Sequence, residues 1–200
     1  MLEKFGKRRR DLALAGVLGI TLIFAQALVT TATKAAEPIK VGFSMALTGA
    51  LAGGGKQALV SMEMWAEDVN KKGGLLGRQV KLVYYDDQTN PKNVPGIYAK
   101  LLDIDKVDFV VSGYGTNLIA PAMPVVIERD LVFMGLFGMN NNKKWKYDKY
   151  FQILPSGPNP AVDFSRAWFD TVMALDPKPK SIAFIAADAE FARNLKEGAV

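Results

Sequence analysis

Asp86 and Asp87 are the carboxylate pair in this chain most suited to chemistry, but the sequence has no His and no Cys to complete a catalytic set. His and Cys are common bases, nucleophiles and transition-metal ligands, so an enzyme reading has little to build on. Neighbouring strand residues point to opposite faces, which keeps the two carboxylates from readily sharing one proton or one metal ion. One of them is expected to hold the loop that follows instead. The other candidates are small-residue loops, Leu47 to Gly55 and Gly113-Tyr114-Gly115-Thr116-Asn117. Each leads into a helix, where unpaired N–H groups and the helix dipole favour an anion such as a carboxylate. The plain alternative is that the glycines only make tight turns.

Nucleotide readings of the first loop can be tested on spacing. A phosphate-binding loop would need a glycine where Ala50 stands and a Ser or Thr where Gln57 stands, so that pattern fails. Gly53-Gly54-Gly55-Lys56-Gln57-Ala58 fits a relaxed dinucleotide pattern, and Asp86 ends the next strand as a ribose-binding acid would. Yet about seven residues separate the strand from the first glycine, where a dinucleotide turn needs almost none.

The elements that must position these loops alternate. Residues 39 to 46 read as a strand running into Thr48-Gly49, and Leu59, Met62, Ala66 and Val69 recur at helical spacing until Gly73-Gly74. Val80 to Tyr85 is a second strand, and Pro91 opens a helix through Ile97, Leu101 and Leu102, its first turns made irregular by Pro95-Gly96. Asp108 to Ser112 is a continuous apolar strand, as expected of one covered on both faces. Thr116 or Asn117 is expected to cap the next helix, with Pro121 tolerated near its first turn and Pro124 bending it. Leu131 to Leu136 and Tyr150 to Leu154 are further strands. Asn159-Pro160 starts a helix carrying Phe164, Trp168 and Val172, and a linker with Pro177 and Pro179 leads to a strand from Ser181 to Ala186 and a last helix. The alternation predicts an α/β fold, a parallel sheet with helices on both faces joined by right-handed crossovers. If the strand order is 2-1-3-4-5, it reverses between the first and third strands, so both candidate loops lie at the ligand-collecting crevice.

Length and charge narrow the function classes. Lys4, Lys7 and Arg8 to Arg10 precede an apolar run from Leu12 to Val29, and Thr33-Lys34-Ala35 offers small residues for cleavage, the order of an export signal. A retained membrane anchor is the alternative, and the arginine triplet also resembles a twin-arginine signal lacking its usual flanks. Residues 1 to 35 carry six of the 25 Lys and Arg and two of the 20 Asp and Glu, leaving 19 against 18. A nearly neutral mature chain has no basic face to neutralise phosphates, so no nucleic acid is expected as a partner. Lys143, Lys144, Lys146 and Lys149 alternate with Asn, Trp and Tyr and read as a solvated loop. Without Cys there are no disulfides, so the exported domain must rest on its core.

Ile39-Lys40-Val41-Gly42, Leu47-Thr48-Gly49, Asn70-Lys71-Lys72-Gly73-Gly74-Leu75-Leu76-Gly77-Arg78 and Tyr85-Asp86-Asp87 followed by Pro91 resemble the amino-terminal lobe of leucine/isoleucine/valine-binding-type solute receptors of ABC importers. The resemblance extends from about residue 38 to the end. It implies a type I periplasmic binding protein, monomeric when full length and needing no cofactor, that closes two lobes on a small ligand and hands it to a membrane permease. Residues 1–36 are then the signal peptide, 37–155 lobe one, and 156–200 the start of a second α/β lobe. The family's members run to nearly twice this length, so the chain reads as a fragment or a truncated product. The family pattern implies that Gly115, Thr116 and Asn117 receive the ligand carboxylate, with Thr48 from the first loop nearby. The turn Leu136 to Met139, which usually brings a carbonyl and a Thr to an ammonium group, departs here because Phe137, Gly138 and Met139 carry no hydroxyl. Tyr114, Phe137 and Met139 would instead make a wide apolar wall, favouring a larger or aromatic carboxylate or an amide over an aliphatic amino acid. Asp188-Ala189-Glu190-Phe191-Ala192 keeps the Asp of the second-lobe motif but has Phe191 where a ligand-touching Tyr is usual. A sensor domain of the same fold and a dinucleotide-binding enzyme are the alternatives. Amino-terminal sequencing of the exported protein is expected to return Ala36 or Glu37; Met1 on a membrane-bound product would contradict the export reading.

Overall fold

The computed structural model describes residues 36–139, 141–154 and 156–199, so the export signal lies outside the described residues except for Ala36. In chain order the elements are β1 (Ile39–Met45), α1 (Ala52–Lys71), β2 (Val80–Asp86), α2 (Val94–Asp103) and β3 (Phe109–Val111). Then come α3 (Thr116–Ile119), a 3₁₀ turn (Ala120–Ala122), α4 (Met123–Glu128), β4 (Phe133–Gly135), β5 (Tyr150–Gln152), α5 (Pro160–Met173) and α6 (Glu190–Ala199). The five strands form one parallel sheet in the order β2-β1-β3-β4-β5, the order whose reversal point the sequence reading relies on.

Alternation along β1 assigns its two faces. Val41, Phe43 and Met45 pack toward α1, meeting Ala58, Leu59, Met62, Ala66 and Val69. The opposite face carries Ala46, Val110 and Phe133 against Val94 and Tyr98 of α2 and the Leu118 to Val126 segment. Gly42 lies on that side, where a Cβ would press on Val107 and Leu101. Helices therefore cover both faces, as a parallel sheet requires. Cover is incomplete on the α1 side, where Phe109, Met134 and Phe151 remain exposed.

The Asn70 to Arg78 motif has a mechanical explanation. Gly73 and Gly74, at φ +97° and +83°, end α1 with paired bonds from their N–H groups to the Asn70 and Val69 carbonyls, a Schellman ending. The Asn70 side chain both donates to the Val80 carbonyl (2.9 Å) and accepts from its N–H (2.7 Å), fixing where β2 begins. Arg78 donates to the carbonyls of Glu37 and Pro38, fixing where β1 begins.

Four expectations are corrected. Pro91 lies in a turn and α2 starts at Val94; Pro95 stands in its first turn, where a missing N–H costs nothing. The break expected at Pro124 comes earlier, because Pro121 cannot donate to the carbonyl one turn back and the chain tightens to 3₁₀ over Ala120–Ala122. Asn159 does occupy the cap of α5 with Pro160 behind it, but its side chain makes no capping bond; Asp163 instead accepts from the Asn159 N–H at 2.8 Å. Ser181 to Ala186 forms no strand. A strand needs a ladder partner, and among the described residues this segment has none, so Ile182, Phe184 and Ile185 stay exposed. Aromatic contacts place it instead: Phe184 lies 6.4 Å from both Trp168 and Phe169 of α5.

Tyr98 is the largest fully buried side chain and meets Phe133 edge-on at 5.7 Å, while its hydroxyl donates to the Val111 carbonyl at 2.6 Å. Burial pushes its phenol well above the ordinary range, so it stays a donor at any working pH. Tyr98→Phe leaves that carbonyl short of a partner and is expected to lower stability by about 1–2 kcal/mol, read by urea unfolding.

Candidate functional site

β1 and β3 are neighbours, yet β1 leads to α1 on one face and β3 to α3 on the other. A crevice opens between two such connections at the carboxyl ends of the strands. One lip is residues 46–51, and it is held by Asp86. The Asp86 carboxylate accepts from the N–H groups of Leu47 (3.0 Å), Thr48 (3.2 Å) and Gln88 (2.8 Å) and from the Thr48 hydroxyl (2.7 Å). Thr89 adds a tie, its hydroxyl donating to the Thr48 carbonyl at 2.7 Å and accepting from Leu51 N–H at 3.2 Å. Gly49, at φ +83°, passes so close to Gln88 and Thr89 that a Cβ would lie 2.7 Å from the Gln88 carbonyl oxygen. Asp86 thus holds the loop that follows it and the loop after β1.

Its neighbour has a different environment. Asp87 is fully buried, with Oδ1 accepting from Thr89 N–H at 2.9 Å and Oδ2 without a partner among the described residues, as is the buried Ser44 hydroxyl. Burial pushes the Asp87 carboxyl up, against the opposing pull of the Thr89 N–H. Burial also pushes Asp86 up, but the Thr48 hydroxyl and the Gln88, Leu47 and Thr48 N–H groups outweigh it and hold this carboxylate below its ordinary value.

The second lip is the joined exits of β3 and β4. Ser112 N–H donates to the Met134 carbonyl (2.9 Å), Leu136 N–H to the Ser112 hydroxyl (2.8 Å) and Gly115 N–H to the Phe137 carbonyl (3.1 Å). Met139 N–H reaches the Thr116 hydroxyl at 3.3 Å, and the Asn141 side chain donates to the Thr116 carbonyl at 2.8 Å. Gly115 is the cap of α3, at φ 105°. This corrects the expectation of Thr116 or Asn117 as the cap: the chain turns there through a positive φ that glycine adopts without strain, and Thr116 becomes the first helical residue. Leu118 and Ile119 N–H groups return to the Gly115 carbonyl, which leaves those of Thr116 and Asn117 at the helix start.

Of the residues expected to meet a ligand, Tyr114, Gly115, Thr116, Asn117, Phe137, Gly138 and Met139 come together on this lip, and Thr48 stands exposed on the other. They are not equally presented. Tyr114 and Phe137 are half-buried and paired, with ring centroids 5.6 Å apart at a 41° tilt. Thr116 and Met139 are fully buried, so neither side chain forms a surface wall, and the Thr116 oxygen already accepts a bond. The Thr48 hydroxyl is directed to Asp86. Phe191 packs edge-on against Phe164, 6.0 Å away, within the α5–α6 pair. Gly53 to Gly55 lie inside α1 rather than in a turn before it, which removes the dinucleotide geometry.

Ser112 escaped the sequence reading, since a Ser ending an apolar strand carries no signal that its hydroxyl will join the next strand. A further cleft of about 580 Å³ lies where β5 leads into α5, lined by Lys143, Tyr150, Gln152, Ser156 and Asn159 among others, and by none of the expected residues. There the Tyr150 hydroxyl is buried with no partner among the described residues, and burial pushes it up to about 12.

The sheet thus places a crevice at its reversal point, and among the described residues no group of acidic side chains there could hold a metal ion. Over residues 38–200 the chain matches the periplasmic binding protein family, and it belongs to that family. An amino acid binding protein of Pseudomonas aeruginosa is 31% identical over 114 residues, 57% of this chain and 30% of that protein. The Leu/Ile/Val-binding protein of Escherichia coli K12 is 28% identical over 99 residues, 50% of this chain and 27% of that protein. The crystal structure of an ABC transporter solute binding protein from Rhodopseudomonas palustris BisB5, in complex with 3,4-dihydroxybenzoic acid, superposes with a TM-score of 0.61 at 17% identity, covering 81% of this chain and 42% of that one. The matched stretches thus span less than a third of the curated relatives. These proteins bind solutes and are not enzymes, and members of the family act outside the cytoplasm. Among the described residues no helix is long and apolar enough to cross a membrane.

The sign of the Asp86 shift gives a pH test. A carboxyl held below its ordinary value of 3.8 stabilises the fold above that pH, and the contribution is lost as pH falls through the lowered value. Asp86→Ala is expected to cost about 2 kcal/mol at neutral pH, with the gap to the parent narrowing below pH 3.8 in denaturant titrations.

Proposed function

We propose that this chain carries the first lobe of an extracytoplasmic receptor that captures a small carboxylate-bearing solute and delivers it to an ABC importer. Residues 37–155 form that lobe and 156–200 begin the second, and the receptor works as a monomer in the periplasm. The observation that carries this reading is the hydrogen-bonded lip at the ends of β3 and β4, where the Thr116 and Asn117 N–H groups lie at a helix start beside the Tyr114–Phe137 pair. Donors of that kind suit a carboxylate, and a half-buried aromatic pair suits a flat apolar body. Thr48 and Gly138 border the same crevice, and Phe191 approaches it from the second lobe on closure.

Branched-chain amino acids and aromatic acids are both open to such a site, as the names of the Escherichia coli and Rhodopseudomonas palustris proteins illustrate. Two features favour the aromatic class: the turn after β4 has no hydroxyl for an ammonium group, and Phe137 stands where it meets Tyr114. Binding to the native state at about a hundred times Kd adds nearly 3 kcal/mol. A thermal-shift screen of the full-length protein is therefore expected to show a rise of about 5 °C or more with benzoate or L-phenylalanine. Stabilisation by L-leucine alone would return Phe137 to a packing role, and no response to any carboxylate would overturn the reading.

A further inference from the structure

Three consecutive glycines open α1, and their surroundings differ. A Cβ added at Gly53 would meet nothing within 4 Å. One added at Gly55 would run into the Ala46 carbonyl, so that glycine allows the helix to approach the end of β1. One added at Gly54 would overlap the phenol ring of Tyr114. None of the three has a positive φ, so the backbone does not require glycine at residue 54. Within a helix glycine is a poorer residue than alanine, and what it provides here is space.

That space is filled by a ring whose other contacts are fixed. Tyr114 is bridged through its backbone to Phe137, and its ring packs on the cluster of Phe43, Met45 and Ala58. It is therefore held between Phe137 on one side and the bare first turn of α1 on the other. A side chain at residue 54 would drive the ring off that turn and change its 41° tilt to Phe137.

We propose that Gly54 is a positioning residue, whose missing side chain seats Tyr114 so that the Tyr114–Phe137 pair selects planar aromatic groups on the ligand. The specificity half of this inference rests on the function proposed above; the seating half does not.

The test compares Gly53→Ala, Gly54→Ala, Tyr114→Ala and the Gly54→Ala/Tyr114→Ala double variant in the full-length protein. Calorimetric titrations use benzoate, L-phenylalanine and L-leucine as probes, and nuclear magnetic resonance follows the Tyr114 ring without ligand. Gly53→Ala should leave binding unchanged. Gly54→Ala should shift the Tyr114 ring resonances, reduce its contacts to Phe137 and weaken benzoate or L-phenylalanine about tenfold relative to L-leucine. The double variant should bind no worse than Tyr114→Ala alone, because the ring that residue 54 displaces is already gone. If Gly54→Ala fails to fold, removing the ring should restore folding, and failure to do so would place the fault elsewhere. Unchanged ring resonances in a folded Gly54→Ala protein would overturn the seating whatever the probes do. A moved ring with an unchanged aromatic-to-leucine ratio would overturn the specificity, and a parent protein binding none of the probes would remove it together with the proposed function.

Discussion

The carboxylate of Asp86 ties together backbone from two loops that the sheet alone would leave independent. Parallel pairing fixes β1 beside β2, but nothing in a ladder dictates the path of the chain once it leaves the last paired residue. Asp86 sits at that point, opposite Met45, and its oxygens take up N–H groups that would otherwise face water. The path of residues 47–51 follows from that, and the direction in which α1 begins follows from the path. Because α1 then runs close along β1, Gly55 must be bare, and because Tyr114 lies over the same turn, so must Gly54. One carboxylate at the end of a strand thereby reaches, through two loops and a helix, to the aromatic pair on the far lip.

That far lip is built by different means. Instead of a charged group, it uses two hydroxyls on the β3 side of the β3–β4 seam, Ser112 before the turn and Thr116 after it. Each accepts an N–H from the strand exit beside it, so the seam continues as a ladder of side chains where the main-chain ladder stops. A lip held in this way needs little ordering when a solute arrives, which favours affinity without requiring many contacts.

How far the sequence reveals this can be judged residue by residue. The parallel α/β sheet was legible because apolar runs and helical stripes alternate, whereas the strand order entered only as a condition, one of the few unknotted topologies such a sheet allows. That one acid of the Asp86–Asp87 pair holds the following loop was legible as well, since an acid at the end of a strand has unpaired N–H groups within reach; which of the two does so was not. The identity of the α3 cap was not. Gly115, Thr116 and Asn117 are all acceptable caps, and only the φ of 105° decides among them. Burial at loop positions was also hidden: Met139 in a turn looks available to a ligand, yet its side chain is fully buried. Ser181 to Ala186 shows the converse limit, because alternation marks a segment able to pair but cannot supply the strand it pairs with.

The sheet is unequal along its width. β1 and β2 share seven register pairs, whereas β3 meets β1 and β4 through two each and β5 adds three to β4. The β1–α1–β2 unit is also closed at both ends, by Asp86 at one and by Asn70 with Arg78 at the other. Cooperative opening of a protein proceeds through its thinnest connections first. The sheet beyond β1 can therefore loosen as a separate unit while the β1–α1–β2 unit stays formed, and the Ser112 and Thr116 bonds across the β3–β4 seam keep the aromatic pair together on the part that loosens.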